Sequence, residues 1–337
     1  MEAKTKDKLK NLLRIFFLFF SLAILYFLLK SIGFDKVGDS FVKVGIGGML
    51  ILICCGFVEN CFDSLGLYFA VPRRNKNFVR VFASNCIGAL TNLFIPWEVG
   101  ELVKIGLIKE IAGSENSIKG VILWNYILKL SKACSIFAMV FLSLVFSFIL
   151  QDEYYQIDKF WLILLYSLLG FLPYFGITIL IHLNMSVKIA KLLKFFGKKN
   201  ADELMKKAEQ MDSDLKLFRK NRPSDYKKTF WLQFFARYVS LLTFILCAYF
   251  SGFSNYKLSI LILTFCAINL SDYIIAFIPI KLGVGEGVGF LMFAFMGLSG
   301  DAGGLVTFIL RVKAIIAMSL VSTLIIVKSK DKNEITQ

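Results

Sequence analysis

The sequence predicts an all-α polytopic membrane protein with about six to eight transmembrane helices and two short re-entrant-like segments broken by Pro and Gly, built as an inverted repeat. The first observation is composition: 57% of the 337 residues are hydrophobic and only 19% are charged, with a mean hydropathy of +0.68. Soluble domains have about 45–50% apolar and about 25% charged residues. The second observation is that the apolar residues fall in long runs. The third is that two short runs carry similar motifs containing Pro and Gly.

The apolar runs divide one membrane domain into two halves, 15–184 and 230–327, separated by a hydrophilic segment, 185–229. A helix needs about 20 apolar residues to cross a bilayer, so the runs at 81–95 and 284–298 are short for a crossing. No part of the sequence predicts a large soluble domain. The predicted spans are 15–30, 44–70, 81–95, 120–150, 160–184, 230–251, 258–280, 284–298 and 304–327.

Basic residues are distributed unevenly between the two sets of loops, and the net charge is +15. Of the 39 Lys and Arg residues, 28 lie in one set, 5 in the other and 6 within the spans. The rich set includes the N-terminal segment 1–14 and the tail 328–337, and the positive-inside rule places it in the cytoplasm. The sequence contains no nucleic-acid recognition motif, so we expect no nucleic-acid partner.

The sequence offers little for metal, redox or imidazole chemistry. Its seven cysteines all lie in apolar runs without a C-x-x-C pair, and His182 is the one histidine. Zinc sites and disulfide frameworks need spacings that this chain lacks. We therefore expect the cysteines to pack as small apolar side chains, and we expect no metal, no cofactor and no catalytic residue.

Two stretches in the two halves resemble each other. In each, an F-I-P triplet precedes a G-E pair, and an Asn lies upstream. Pro lacks the N–H that a helix needs and Gly permits an unwound turn, so both stretches predict broken helices. Broken backbone at membrane depth is tolerated only inside protein or beside a water-filled cavity, and paired breaks of this kind indicate the binding site of a repeat-built transporter. The first stretch contains Asn92, Pro96, Gly100 and Glu101, and the second contains Asn269, Pro279, Gly283, Gly285 and Glu286.

Charged side chains inside the spans predict a shared polar interior. A charge at the bilayer centre costs at least about 2.5–3.5 kcal/mol, so most of these residues must converge on a cavity or pair with each other. Two interpretations are open: a substrate cavity that opens sideways to lipid, and structural pairing such as Glu59 and Asp63 with Lys129 and Lys132. The residues are Glu59 and Asp63 with Asn60 on one helix face, and Lys129, Lys132, Arg237, Asp272, Arg311 and Lys313.

The hydrophilic segment 185–229 has two parts. The first, around Leu192 and Lys198, is typical of a basic amphipathic helix at a membrane surface. The second, from Leu204 to Phe218, keeps a helical period until Pro223. The segment is either an ordinary cytoplasmic loop lying on the head groups or a docking site for a cytoplasmic or membrane partner.

The stretches Val71–Ile108 and Pro279–Arg311, together with the order of spans, resemble the flippase-like transmembrane region of lysylphosphatidylglycerol synthases. The first family motif, P-x-R-x-G-E-x-x-R, falls on Pro96, Gly100, Glu101 and Lys104, with Glu98 in the first arginine position. The second, P-x-x-x-G-x-x-E, falls on Pro279, Gly283 and Glu286, with Gly285 where a basic residue is common. The resemblance also implies roles for Arg311 in the last span and for Lys129, with Lys132 at an acidic position.

The resemblance implies a translocating unit in the cytoplasmic (inner) membrane, without the family's soluble transferase domain. Glu98 and Lys104 in place of two arginines reduce bidentate anion binding, while Lys104, Lys129, Lys132 and Arg311 still suit a phosphate head group. Three functions are open: a transporter moving an anionic or glycan-linked lipid between leaflets, a non-catalytic partner subunit, and a membrane-embedded transferase. We expect the first, with no enzymatic activity.

Overall fold

The computed structural model describes residues 33–72, 77–95, 99–149, 201–274 and 283–334, together with four isolated positions. Helices joined by short turns make up these residues, with no strand among them, as the all-α prediction requires, and four helices are long and apolar enough to cross a membrane: α1, α4, α6 and the first part of α9. The predicted spans 15–30 and 160–184 and the basic stretch 185–200 lie outside the described residues. The helices are α1 (Phe34–Ala70), α2 (Phe78–Phe94), α3 (Val99–Ala112), α4 (Ser114–Ile149), α5 (Ala201–Asn221), α6 (Pro223–Phe250), α7 (Leu258–Ile274), α8 (Val284–Phe295) and α9 (Gly300–Glu334).

Local sequence explains several helix ends. The Asn77 side chain accepts a hydrogen bond from the Arg80 N–H and so caps the start of α2. Pro223 occupies the first turn of α6, where its missing N–H costs nothing, and α5 ends just before it. The stretch between the first two predicted spans is helical from Phe34, where α1 begins, and α1 bends at Gly45, whose φ of +64° favours glycine.

Helix α3 is an element that the apolar runs did not predict. Glu101, Lys104, Lys109 and Glu110 interrupt its hydrophobicity. It folds back along α2, so the two helices form a hairpin. At the open end, Arg80 Nη1 lies 3.4 Å from Glu110 Oε2, and at the tip the Gly100 N–H donates to Asn92 Oδ1 at 2.7 Å. With 17 and 14 residues these helices are about 25 Å and 21 Å long. Because they are antiparallel and similar in length, the chain leaves the hairpin at the same end of the bundle at which it entered.

Helices α7 and α8 form the second hairpin. At its open end the Ser299 N–H donates to Tyr256 Oη at 3.3 Å, and the rings of Tyr256 and Phe293 are 6.0 Å apart. Helix α8 also packs closely on α9, because Gly289 and Gly303 face each other and a Cβ on either would strike the backbone oxygen of the other. The two short apolar runs of the sequence therefore each belong to a hairpin.

The two hairpins enter from opposite ends of the bundle. One end holds the start of α1 and of α9, joined by Lys36 and Asp301 at 3.0 Å, and the open end of the second hairpin. The other end holds the end of α1 and the start of α6, where Arg222 Nη2 donates to the Phe69 carbonyl at 2.7 Å, and the open end of the first hairpin. The order long helix, hairpin, long helix thus occurs twice with reversed direction (α1–α4 and α6–α9), which is the predicted inverted repeat.

Apolar packing holds the long helices around this arrangement. The largest buried cluster includes Leu52, Ile136, Phe244 and Phe293, and joins α1, α4, α6, α7, α8 and α9. A smaller cluster buries Leu215 and Phe218 of α5 against Leu123 and Ile127 of α4. Leu215 and Phe218, two residues of the candidate docking segment, are therefore buried against α4.

Candidate functional site

A polar cavity of about 350 Å³ lies between the tips of the two hairpins. Its walls come from α1, α2, α6, α7 and α9, with one residue each from α3, α4 and α8. Asn60, Asn85, Asn269, Thr243 and Thr307 add hydrogen-bonding groups to its wall. The charged residues that line it are Glu59, Asp63, Lys104, Arg237, Arg311 and Lys313.

Glu101 organises the tip of the first hairpin. Its Oε1 accepts hydrogen bonds from Lys104 Nζ at 2.8 Å and Asn92 Nδ2 at 3.3 Å, and its Oε2 accepts one from Asn125 Nδ2 at 3.0 Å. Asn92 also accepts the Gly100 N–H, which is one of the donors left unpaired at the start of α3. The carboxylate thus joins α2, α3 and α4 at the point where the backbone reverses.

Lys104 connects this tip to the cavity. Its side chain is almost fully buried, and its ammonium group lies 4.3 Å from the centre of the Trp124 ring. A buried ammonium group needs both a counter-charge and further contacts to offset its desolvation, and here Glu101 and the Trp124 π face supply them.

Glu286 organises the tip of the second hairpin. Its side chain is fully buried; Oε2 accepts the Gly283 N–H at 2.8 Å, and Oε1 lies 2.6 Å from Arg311 Nε. Gly283 has a φ of +81°, so the turn itself requires glycine. Gly285 has no Cβ where Arg311 Nη2 passes: a Cβ there would lie 2.5 Å from that nitrogen. Gly285 therefore makes room for the guanidinium group.

Arg311 has donor capacity that the described residues leave unused. Its Nη1 is buried and has no hydrogen-bond partner among them, although Nε is paired with Glu286. A buried unpaired donor is costly unless a ligand or water meets it. Arg311 also lines the cavity, so its guanidinium group offers a positive charge to an anion there.

The acidic face of α1 pairs across the cavity with α6 and α9. Arg237 Nη2 donates to both carboxylate oxygens of Asp63 at 3.0 and 3.1 Å, and Arg237 Nη1 lies 3.7 Å from Glu59. Lys313 Nζ lies 3.5 Å from the other oxygen of Glu59, and its stem crosses α1 at Gly56, where a Cβ would lie 2.9 Å from it. Glu59 and Asp63 are thus structurally paired, with Arg237 and Lys313 in place of the expected Lys129 and Lys132.

The structure brings together most of the predicted site residues. Of the others, Lys129 is exposed and Lys132 is partly buried, and neither is among the described residues that line the cavity. Pro96, Glu98 and Pro279 and the side chain of Asp272 lie outside the described part of the chain. The residues gathered at the cavity or at the two hairpin tips are Glu59, Asn60, Asp63, Asn92, Gly100, Glu101, Lys104, Arg237, Gly283, Gly285, Glu286 and Arg311.

Sequence reasoning missed two members of the first tip. Asn125 and Trp124 lie side by side in α4, and Trp124 also lines the cavity. A polar amide within a long apolar run was the available signal for Asn125, but the pattern could not show that it faces Glu101. Trp124 gave no signal, because an aromatic residue in a span is ordinary packing material.

The contact between Gly100 and Gly88 predicts a strong effect of added volume. A Cβ on Gly100 would overlap the Gly88 carbonyl oxygen, so we expect Gly100→Ala to destabilise the fold by about 1–3 kcal/mol. Gly106→Ala is the matched control, because Gly106 lies in the same helix with nothing within 4 Å of the added Cβ. Thermal unfolding in detergent measures both; equal stability of the two variants would contradict the close packing of the hairpin.

Comparison with known proteins gives one match. The family model for the lysylphosphatidylglycerol synthase TM region matches residues 12–322, nearly the whole chain. Its span includes both hairpins and every cavity residue named above. No curated protein and no solved structure matches the chain.

Proposed function

Because the chain belongs to the lysylphosphatidylglycerol synthase transmembrane family, a family of membrane proteins involved in lipid handling, we propose that it moves an anionic lipid between leaflets. The observation that carries this proposal is Arg311, whose partly exposed side chain lines a cavity between two oppositely directed hairpins and whose buried Nη1 lacks a partner among the described residues. The lipid is transported unchanged, without a catalytic step.

The size and lining of the cavity support a head group as the cargo. Ligand pockets are commonly about 300–1,000 Å³, and this one, at about 350 Å³, is at the small end. It admits a compact head group and leaves no room for acyl chains, which would stay in the bilayer. Arg311 would hold the phosphate, while Asn60, Asn85 and Asn269 offer hydrogen bonds to its polar substituents.

The inverted repeat supports alternating access. Each hairpin tip carries an ion pair, Glu101 with Lys104 and Glu286 with Arg311, and the two tips approach the cavity from opposite ends of the bundle. Repeats related in this way commonly expose a central site to one side and then to the other. In the proposed cycle, movement of one hairpin opens the cavity while the other keeps it closed.

The orientation we propose follows from charge. The end with the start of α6 and the end of α1 carries the basic segments around Arg80, Arg219 and Lys228. Basic loops favour the cytoplasmic side of the membrane and its anionic lipids. The first hairpin would then open to the cytoplasm and the second to the outer side of the cytoplasmic membrane.

Leaflet exchange in vesicles tests the proposal. We expect purified protein in liposomes to speed the exchange of fluorescent phosphatidylglycerol at least about tenfold over protein-free vesicles, and to act less on phosphatidylcholine, whose head group carries a compensating cation. Reduction of the label in the outer leaflet by dithionite measures the exchange. The same rate with and without protein, for every lipid tested, would refute the proposal.

A further inference from the structure

The two repeats hold their hairpins with residues at equivalent positions but of different charge. Glu101 is the third residue of α3, and Glu286 is the third residue of α8. Asn125 lies eleven residues after the start of α4, and Arg311 lies eleven residues after the start of α9. Each of these long-helix residues contacts the glutamate of its own repeat, at 3.0 Å and 2.6 Å. Asn125 is therefore the counterpart of Arg311.

We propose that Asn125 is a positioning residue that fixes the first hairpin through Glu101, and that an anion entering the cavity can release only the second hairpin. This inference rests on the proposed function for the identity of the anion, but the positioning role of Asn125 stands on the geometry alone. The two hairpins then have different roles: a tip held independently of the anion and a tip that responds to it.

The contacts explain the difference. At the second tip, Arg311 pairs with Glu286, and Arg311 also lines the cavity. An anion bound there competes with Glu286 for Arg311 and weakens the hold on α8. At the first tip, Asn125 has a neutral amide, so it offers no positive charge for which an incoming anion could compete with Glu101. Glu101 there keeps Lys104 and Asn92 as additional donors, from its own hairpin.

Burial reinforces this asymmetry. Lys104 is the cation of the first tip, and its ammonium group is enclosed between Glu101 and the Trp124 ring. Arg311 by contrast has a spare buried donor, Nη1, once Nε is engaged. An anion that displaces Glu286 from Arg311 therefore gains an additional donor, Nη1, whereas at Lys104 it must displace Glu101 from an ammonium group that the Trp124 ring encloses.

Hydrogen–deuterium exchange of the full-length protein in nanodiscs tests the inference. Loss of a hydrogen bond to a charged group costs enough to speed local opening by about tenfold or more. We expect Asn125→Ala to speed exchange by that factor in peptides from α3 but not from α8. Arg311→Ala should do the reverse. Ser135→Ala is the matched control, since Ser135 is buried on the same helix and its hydroxyl donates to the Lys132 carbonyl within α4; it should change neither hairpin.

A second variant and a ligand arm complete the test. Asn125→Asp is nearly isosteric and places a carboxylate beside Glu101, so it should also speed exchange in α3. For the ligand arm, wild-type protein in phosphatidylglycerol nanodiscs should exchange faster in α8 than in phosphatidylcholine nanodiscs, with α3 unchanged. Unchanged α3 exchange in both Asn125 variants, or equal changes in both hairpins, would overturn the inference. Failure of leaflet exchange alone would overturn the proposed function and leave the positioning role intact.

Discussion

Arg311→Ala is expected to reduce leaflet exchange by at least about tenfold, because the variant loses a charge-assisted bond to the head group. It also leaves the fully buried Glu286 without its cation, so part of any loss could come from instability. Two further variants separate these effects. Arg311→Lys keeps the charge but not the second donor nitrogen, and Glu286→Gln/Arg311→Gln removes both charges together.

We expect the neutral double variant to fold and to remain inactive, and Arg311→Lys to retain partial activity. The matched control is Arg80→Ala, which removes an arginine from an exposed pair with Glu110 at the open end of the first hairpin. Its exchange rate should equal that of the wild type. Wild-type exchange in the folded double variant would show that Arg311 does not bind the transported lipid.

Arg237→Ala is expected to cause the largest loss of stability, about 3–5 kcal/mol, because it leaves Asp63 in the bundle without its bidentate partner. Glu59 also loses a cationic neighbour, because it lies 3.7 Å from the same guanidinium group. Asp63→Asn/Arg237→Gln should recover most of the loss, since no uncompensated charge then remains. Thermal and denaturant unfolding in detergent measure the effect.

The control for that prediction is an exposed pair. Lys36 and Asp301 are 3.0 Å apart, but the Lys36 side chain is 64% exposed, so Lys36→Ala should cost no more than about 1 kcal/mol. If Arg237→Ala were as stable as Lys36→Ala, the ion pairs of the cavity would be solvated. The pair of Asp63 and Arg237 would then not stabilise the bundle.

Much of the fold could be predicted from hydropathy, and the reason is physical. A long apolar run at membrane depth must form a helix, so that the chain pairs its own backbone groups. The long runs therefore predicted α4, α6 and most of α1 and α9. Hydropathy did not predict helix α3, because Glu101 and Lys104 lie in it and these charges break the apolar run. Hydropathy did not predict the start of α1, because the charged residues Asp35, Lys36 and Asp39 are typical of a loop.

The sequence predicted which charged residues would gather in the interior, but not which acid would pair with which cation. The cost of burying charge correctly required Glu59, Asp63, Arg237 and Arg311 to converge or pair. Which cation meets which acid depends on helix rotation and crossing, and a single sequence does not contain that information. Lys129 and Lys132 have the same spacing signal as true cavity residues, yet the rotation of α4 turns Trp124 toward the cavity in their place.

The central claim is that the cavity binds an anionic lipid head group through Arg311, and lipid identification by mass spectrometry tests it most directly. Wild-type protein and Arg311→Ala would be purified in parallel from the same membranes and their bound lipids compared. We expect one anionic head-group class to be enriched with the wild type and lost from the variant, with Arg80→Ala retaining it. Identical lipids in all three preparations would contradict the account and would leave Arg311 as a structural partner of Glu286 alone.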